Sequence, residues 1–459
     1  MTIYYVMAII FILGVLMIAM EDILKINKAA VAVGMCIILW LLTFITAVSD
    51  FSNNLPPMFA NFVEGFPNFA GMSFHDQVYR YMEVALTESL GDVATTLFFV
   101  LGSMAIIEIL DSHGAFSAIT QMIRTTNKRK LLWIFVFITF FLSAFLGNLA
   151  TVIVMIAVMH KLIPEKRDRL IYACITIIAA NTGGAWSPIG DVTSLLLWTG
   201  KNVTAVHLVT HVILPSLVMV TVATAITTLM FRKGEMVKPV VYESEINLPS
   251  YITPGFKKTL LIIGLLSLAL VPVLQSIFNL PPFMGVLLGL VILWIITDIK
   301  SARSKDPNAI KMKVSTLLGN LDISTIFFFL GILMSVKALG IVGILAMLSE
   351  GLNAAFTNPD TIAFLLGICS SVLDNVALVA ATIGMYPLQE IGAFATDSSF
   401  WTFLSYCCIT GGSMLIIGSA SGVTVMGLEK VSFGYYLKKF TPLAILGYCA
   451  GAVVYQLIC

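Results

Sequence analysis

At an offset of 227 residues, the stretch Ser143-Ala-Phe-Leu-Gly-Asn-Leu-Ala150 returns as Ser370-Ser-Val-Leu-Asp-Asn-Val-Ala377. Two further matches keep the same order and nearly the same offset. Thr182-Gly183-Gly184, with Gly190 six positions after Gly184, returns as Thr410-Gly411-Gly412 with Gly418. Phe98-Phe99-Val100-Leu101-Gly102 returns as Phe327-Phe328-Phe329-Leu330-Gly331. Three matches in register identify a tandem duplication, so a fold that suits one half has to suit the other.

Both copies lie in apolar surroundings. The 459-residue chain is 59% hydrophobic and 11% charged, with a mean hydropathy of +0.98, which excludes an ordinary soluble protein. Apolar runs of about 18 or more residues read as membrane-spanning helices, because about 20 residues cross about 30 Å of hydrocarbon. The first run, 3–20, has neither a basic n-region nor a small-residue cleavage site, and reads as a retained helix rather than a signal peptide. Cysteines 36, 174, 369, 407, 408, 449 and 459 lie in apolar segments without metal-type spacing and read as free buried thiols. A net charge of +1 with no basic tail gives no reason to expect nucleic acid. No Walker-type loop, His-Glu-x-x-His or Gly-x-Gly-Asp pattern is present, so neither a nucleotide nor an enzymatic function is expected.

The basic residues set the expected topology. Segments 21–28, 111–130, 160–170, 232–258, 298–321 and 430–440 hold 23 of the 26 Lys and Arg, and only Arg80, Lys201 and Lys337 lie elsewhere. These segments are assigned to the cytoplasm, and the acidic segment 49–92 to the outside. Helices over 3–20, 29–48 and 93–110 are then crossings. The run 131–159 is basic at both ends, long for one crossing and short for two, so it reads as a re-entrant hairpin with Gly147-Asn148 at its tip. The run 168–200 is interrupted by Asn181-Thr-Gly-Gly-Ala-Trp-Ser-Pro-Ile-Gly-Asp191, whose glycines and proline break a helix. Helix 207–231 closes a first repeat over 1–231, and a cytoplasmic linker spans 232–257. The second repeat, 258–459, replays the pattern with crossings 258–278, 283–297 and 322–340, a connector 341–358, a hairpin 360–386 tipped by Asp374-Asn375, a broken helix 401–429 and a last crossing 440–459. Five crossings per repeat is an odd number, so the halves are expected to be inverted and both termini to lie outside. The fold class is therefore an all-α polytopic membrane protein of two inverted repeats, each with five transmembrane helices and one hairpin, with two broken helices at the midplane, the pattern of secondary transporters.

Hairpin tips and helix breaks expose N–H and C=O groups at membrane depth, tolerable only where buried in protein or lining a cavity. Asp374 and Asp191 add carboxylates; Asn148, Asn375, Thr182, Thr193, Thr410, Ser419 and Ser421, with Ser143 and Ser370 beside the tips, add neutral oxygens. Such oxygens suit a hard cation such as Na⁺ or Li⁺. A buried carboxylate also holds a proton more readily, so it can alternate between proton and metal ion. The metal expected at Asp374, Asn375, Asp191 and Asn148 is thus the transported ion, and no cofactor is expected. Each residue also has a structural reading: Ser and Thr bond to their own helix backbone, paired glycines allow close packing, and Asp374 or Asp191 pairs with a neighbouring helix. Glu108 is either a snorkelling charge or a proton relay, and Asp322 either a helix cap or a pH-sensing group. His75 reads as external, His113 and His160 as cytoplasmic-edge residues, and His207 and His211 as interfacial; none is expected to share a metal with another.

At these motifs the chain resembles the NhaD-type sodium/proton antiporters of the Ion Transporter superfamily. The likeness is carried by 98–113 (FFVLGSMAIIEILDSH), 143–155 (SAFLGNLATVIVM), 181–194 (NTGGAWSPIGDVTS), 370–375 (SSVLDN) and 411–422 (GGSMLIIGSASG), and it covers essentially the whole chain. It implies electrogenic exchange of cytoplasmic Na⁺ or Li⁺ for external H⁺, alkaline activation, a bacterial inner-membrane location, and a homodimer whose transport domains move elevator-fashion in the lipid. A sodium-coupled carrier for dicarboxylates is the alternative within the superfamily, but Asp374 at a hairpin tip would repel a carboxylate. One departure stands out. Family members usually carry Asp-Asn where this chain has Gly147-Asn148, so either Asp374 and Asp191 suffice or transport is altered or impaired.

Overall fold

Helices with apolar outer faces dominate the computed structural model, which describes residues 2–53, 59, 62–63, 71–117, 123, 125–232, 249–304 and 306–459. Most of the expected linker 232–257, part of the expected external segment 49–92 and part of the basic connector 111–130 therefore lie outside the described residues. Among the described residues, eight helices are long and apolar enough to cross a membrane. Leu41, Ile45, Leu266 and Ile277 are each more than half exposed on them, an arrangement that water would penalise and hydrocarbon accepts.

In chain order the longer described α-helices are α1 (Thr2–Ala19), α2 (Lys28–Asn53), α3 (Phe74–Ser112), α4 (Lys128–Leu146), α5 (Asn148–Leu162), α6 (Lys166–Ala185), α7 (Val192–Thr199), α8 (Ala205–Thr228), α9 (Pro254–Phe278), α10 (Pro282–Ala302), α11 (Ile323–Ile341), α12 (Ile344–Ala355), α13 (Pro359–Cys369), α14 (Asn375–Met385), α15 (Ser399–Gly411), α16 (Ala420–Glu429), α17 (Phe433–Lys439) and α18 (Thr441–Ile458). One stretch differs from expectation. Residues 74–92 are helical and continuous with 93–112, giving α3 39 residues, or about 58 Å at 1.5 Å per residue. The charges there sit at helical spacing, with Arg80 Nη1 2.8 Å from Glu83 Oε2. The connector 341–358, for which no secondary structure was specified, contains α12. The cysteines are free as expected, but Cys369, Cys449 and Cys459 are exposed rather than buried.

The chain forms two compact units, and each takes segments from both halves of the sequence. The smaller comprises Met1–Leu97, Asp322–Thr357 and Ala380–Pro387. In it α2 packs along α11: Gly331 lets α11 approach the backbone at Ala32, and Trp40 Nε1 donates to Met334 O at 2.9 Å. The larger comprises Phe98–Leu321, Asn358–Val379 and Leu388–Cys459. Its pairings are α4 with α6, α13 with α15, α8 with α18 and α9 with α10.

Two of those pairings use the repeated residues in the same way. A Cβ on Gly183 would collide with Phe140 O, and one on Gly411 with Gly367 O. Ser143 Oγ donates to Ala180 O at 2.6 Å, and Ser370 Oγ to Cys408 O at 2.6 Å. The duplicated motif thus specifies a close helix crossing bolted by a serine, once in each half. Further along, Lys128 Nζ lies 2.6 Å from Asp168 Oδ2, both side chains buried, and Glu429 at the end of α16 contacts His160 at the end of α5 and Arg169 on α6.

Candidate functional site

All four expected breaks are present, and the local sequence accounts for each. Gly147 separates α4 from α5 with φ 82° and ψ 157°, a region that only glycine enters without strain. Residues 370–374 separate α13 from α14, and Asp374 Oδ1 accepts from the amides of Val376 and Ala377 at 3.0 and 3.2 Å. Residues 186–191 separate α6 from α7. Gly184 and Gly190 touch backbone to backbone there, and Asp191 caps α7 by accepting from Thr193 N at 2.8 Å. Residues 412–419 separate α15 from α16 in the repeated manner. Gly412 and Gly418 touch, and Ser419 caps α16 by accepting from Gly422 N at 3.2 Å.

Within the larger unit these termini meet. The buried Asp191 carboxylate accepts from Asn148 Nδ2 at 2.6 Å through Oδ2 and from Asn375 Nδ2 at 3.4 Å through Oδ1. One side chain from each tip therefore reaches the same carboxylate. Asn148 Nδ2 also donates to Asn181 Oδ1 at 3.2 Å. Asn181 in turn accepts from Ser421 Oγ at 2.7 Å and donates to Ser413 Oγ and Ser419 Oγ at 3.0 Å each, while Ser419 and Ser421 are 2.9 Å apart. Asp374, next to Asn375, is near enough to act on Asp191 electrostatically. The buried Thr193 hydroxyl has no hydrogen-bond partner among the described residues.

The result is a continuous, oxygen-rich network with a buried carboxylate at its centre. Every neutral member can turn an oxygen lone pair inward, and no cationic side chain joins it among the hydrogen bonds described. That donor set fits a small hard cation and a proton as alternatives at one carboxylate. Among the described residues it includes no arginine fork of the kind that grips a carboxylate.

Other expected site residues are placed elsewhere. Ser143 and Ser370 spend their hydroxyls on neighbouring backbone, as described above. Thr182 Oγ1 donates to Ile178 O at 2.7 Å and Thr410 Oγ1 to Tyr406 O at 2.6 Å, each within its own helix. Glu108 accepts from Ser112 Oγ at 2.9 Å and Asn320 Nδ2 at 3.0 Å. Asp322 caps α11, accepting from Thr325 Oγ1 at 2.6 Å. Asn181 and Ser413 are the network members that residue matching between the repeats passed over. At an offset of 228 they align with Ile409 and Ala185, so they lack a polar twin. A polar side chain inside a fully buried turn was the signal available for Asn181.

Broken helices meeting at a buried polar centre in a polytopic helical protein define a membrane transporter. Comparison with known proteins narrows the class. The citrate transporter family model matches residues 7–402. Sodium/proton antiporter 2 of Arabidopsis thaliana is 34% identical over 98% of this chain and 98% of its own length. Sodium/proton antiporter 1 of the same plant is 37% identical over 98% of this chain and 71% of its own. The Na⁺/H⁺ antiporter NhaD of Vibrio cholerae is 30% identical over 82% of this chain and 80% of that protein. The fold is shared with the Alcanivorax borkumensis YdaH transporter, at a TM-score of 0.54 and 13% identity, covering 83% of this chain and 88% of that one. The chain belongs to the NhaD-type sodium/proton antiporter family of the Ion Transporter superfamily.

Proposed function

We propose that the protein exchanges cytoplasmic Na⁺, or Li⁺, for external H⁺ across a bacterial plasma membrane. The observation that carries this reading is Asp191 held between Asn148 and Asn375, one from each tip, and next to the Asn181–Ser419–Ser421 network. With a proton on the carboxylate, the two asparagines serve as its neutral partners. With Na⁺ in its place, their amides rotate to offer Oδ1, and Asp191, Asp374, Thr193 and the serines complete an oxygen shell. One site that holds either ion but not both, opened alternately to each side, gives exchange.

The surrounding architecture supports alternating access in an elevator manner. On this reading the two halves are inverted repeats, the tips at Gly147 and Asp374 belong to re-entrant hairpins entering from opposite faces, both termini lie outside, and the larger unit moves in a homodimer. Thr182, Thr410, Ser143 and Ser370 hold the breaks in shape; Glu108 and Asp322 lie on the proton route or tune it.

Proteoliposomes carrying an acridine dye test the ion pair directly, with Na⁺, Li⁺, K⁺, citrate and succinate pulsed side by side. Dequenching by Na⁺ and Li⁺ alone is expected. Uptake of citrate or succinate without cation-evoked proton movement would replace the reading with anion transport.

A further inference from the structure

The first two turns of α8 carry a pair of histidines for which the ion network has no use. His207 and His211 read from the sequence as interfacial residues that share no metal, yet their rings stack with centroids 3.8 Å apart and planes 21° from parallel. Two imidazolium ions would repel strongly at that distance, so the stack contains at least one neutral ring with a lone pair to give. His211 Nδ1 lies 2.9 Å from His207 O and 3.0 Å from Thr210 Oγ1. Donation to the carbonyl leaves the lone pair on Nε2, the way metal-binding histidines are commonly oriented through their other ring nitrogen. Spacing of i, i+4 on one helix face is also that of the histidine pair in helical zinc sites. Zn–N bonds of about 2.0–2.1 Å to one ion require one ring to turn out of the stack, so that the two in-plane lone pairs converge.

A carboxylate is fixed at the same end of the helix. Asp397 accepts from Thr204 N at 2.6 Å and from Thr204 Oγ1 at 2.9 Å, and Thr204 is the N-cap of α8. The segment carrying Asp397 is held in turn by Asp397 N on Asn202 O and Thr396 Oγ1 on Lys201 O, both 2.9 Å. Both histidines are half-buried and Thr204 is exposed, on the face that the charge pattern places outside.

We propose that His207 and His211 form a binding site for a transition-metal dication such as Zn²⁺ or Ni²⁺, with Asp397 supplying negative charge beside it and water the remaining ligands. Imidazole selects these ions over Na⁺, Mg²⁺ and Ca²⁺, so the site is chemically distinct from the oxygen network. It is also mechanically close to it. Between Asp191 and the turn that Asp397 clasps stands α7, eight residues long and about 12 Å in length. A metal that stiffens the start of α8 against its cap slows any motion α7 must make.

Calorimetric titration of Zn²⁺ and Ni²⁺ into chelator-treated full-length protein tests the site without reference to exchange, so failure here leaves the proposed function standing. One metal per chain is expected, with binding weakened in His207→Ala and His211→Ala and lost in the double variant at unchanged melting temperature. No binding by the wild type, or full binding by a folded double variant, overturns the proposal. In proteoliposomes, Zn²⁺ is expected to slow Na⁺-evoked proton movement in the wild type and not in the double variant. Unaltered movement with metal bound overturns the coupling to α7.

Discussion

Gly147 shows how a single residue can resist the obvious correction. The family resemblance leads to an expected aspartate there, and Asp374 stands at the matching place in the second half. Yet Gly147 has φ 82°, whereas Asp374 is not among the positive-φ residues, so the two tips have different backbones. Gly147→Asp therefore adds strain of about 1–3 kcal/mol along with its carboxylate. Thermal melting in detergent should show Gly147→Asp and Gly147→Ala lowered alike; an unchanged melting temperature for either would mean the tip readily changes conformation. The carboxylates and the serines should separate cleanly in dye assays. Asp374→Asn keeps an oxygen for the amides of Val376 and Ala377, so it should fold and lose exchange. Ser143→Ala and Ser370→Ala should keep exchange and lose about 1 kcal/mol each with the bond to Ala180 O or Cys408 O. Matching polar positions between the halves exposed the tips and the caps, because both halves need them. The same matching made the two bolting serines look like ligands and passed over Asn181, whose twin is Ile409. Symmetry in sequence marks what the scaffold repeats, and an ion site shared between the halves need not be symmetric.

At the scale of elements, helix ends were legible where glycine or a cap stands at the boundary, as at Ser419, whereas the helix expected from 258 begins at Pro254, inside the expected linker. They were not legible where charge alone placed a segment outside the membrane. The acidic residues between 76 and 92 decorate a continuous helix, since charges at i, i+3 spacing are compatible with a helix that protrudes from the bilayer. Lys128 read only as part of a basic flank, and its pairing with Asp168 on another helix was not legible. Lys128→Met removes the cation of that buried pair, and a loss of about 3–5 kcal/mol is expected; a melting temperature within a degree of wild type would contradict it. The repeated glycines are the stiffer test of packing. Gly183→Ala and Gly411→Ala each drive a methyl group into a backbone carbonyl that has no rotamer to yield, so losses at or beyond the usual overpacking range of about 1–3 kcal/mol are expected for both. Size-exclusion profiles and melts identical to wild type would show that the helices separate at little cost.

For the whole molecule, duplication and charge pattern together conveyed an all-helical membrane protein and the places where its helices break. They did not convey that each compact unit takes segments from both halves, because which helices pack is decided by side-chain complementarity that hydropathy does not encode. The proposed function rests on one carboxylate that cannot hold both a proton and a metal ion. The most direct measurement is Na⁺-evoked proton movement in proteoliposomes, wild type against Asp191→Asn, with the amount of folded protein matched by size exclusion. The expected result is dequenching by the wild type and none by the variant. Dequenching of equal size from the Asp191→Asn protein would contradict the account, because the ion would then be exchanging somewhere else.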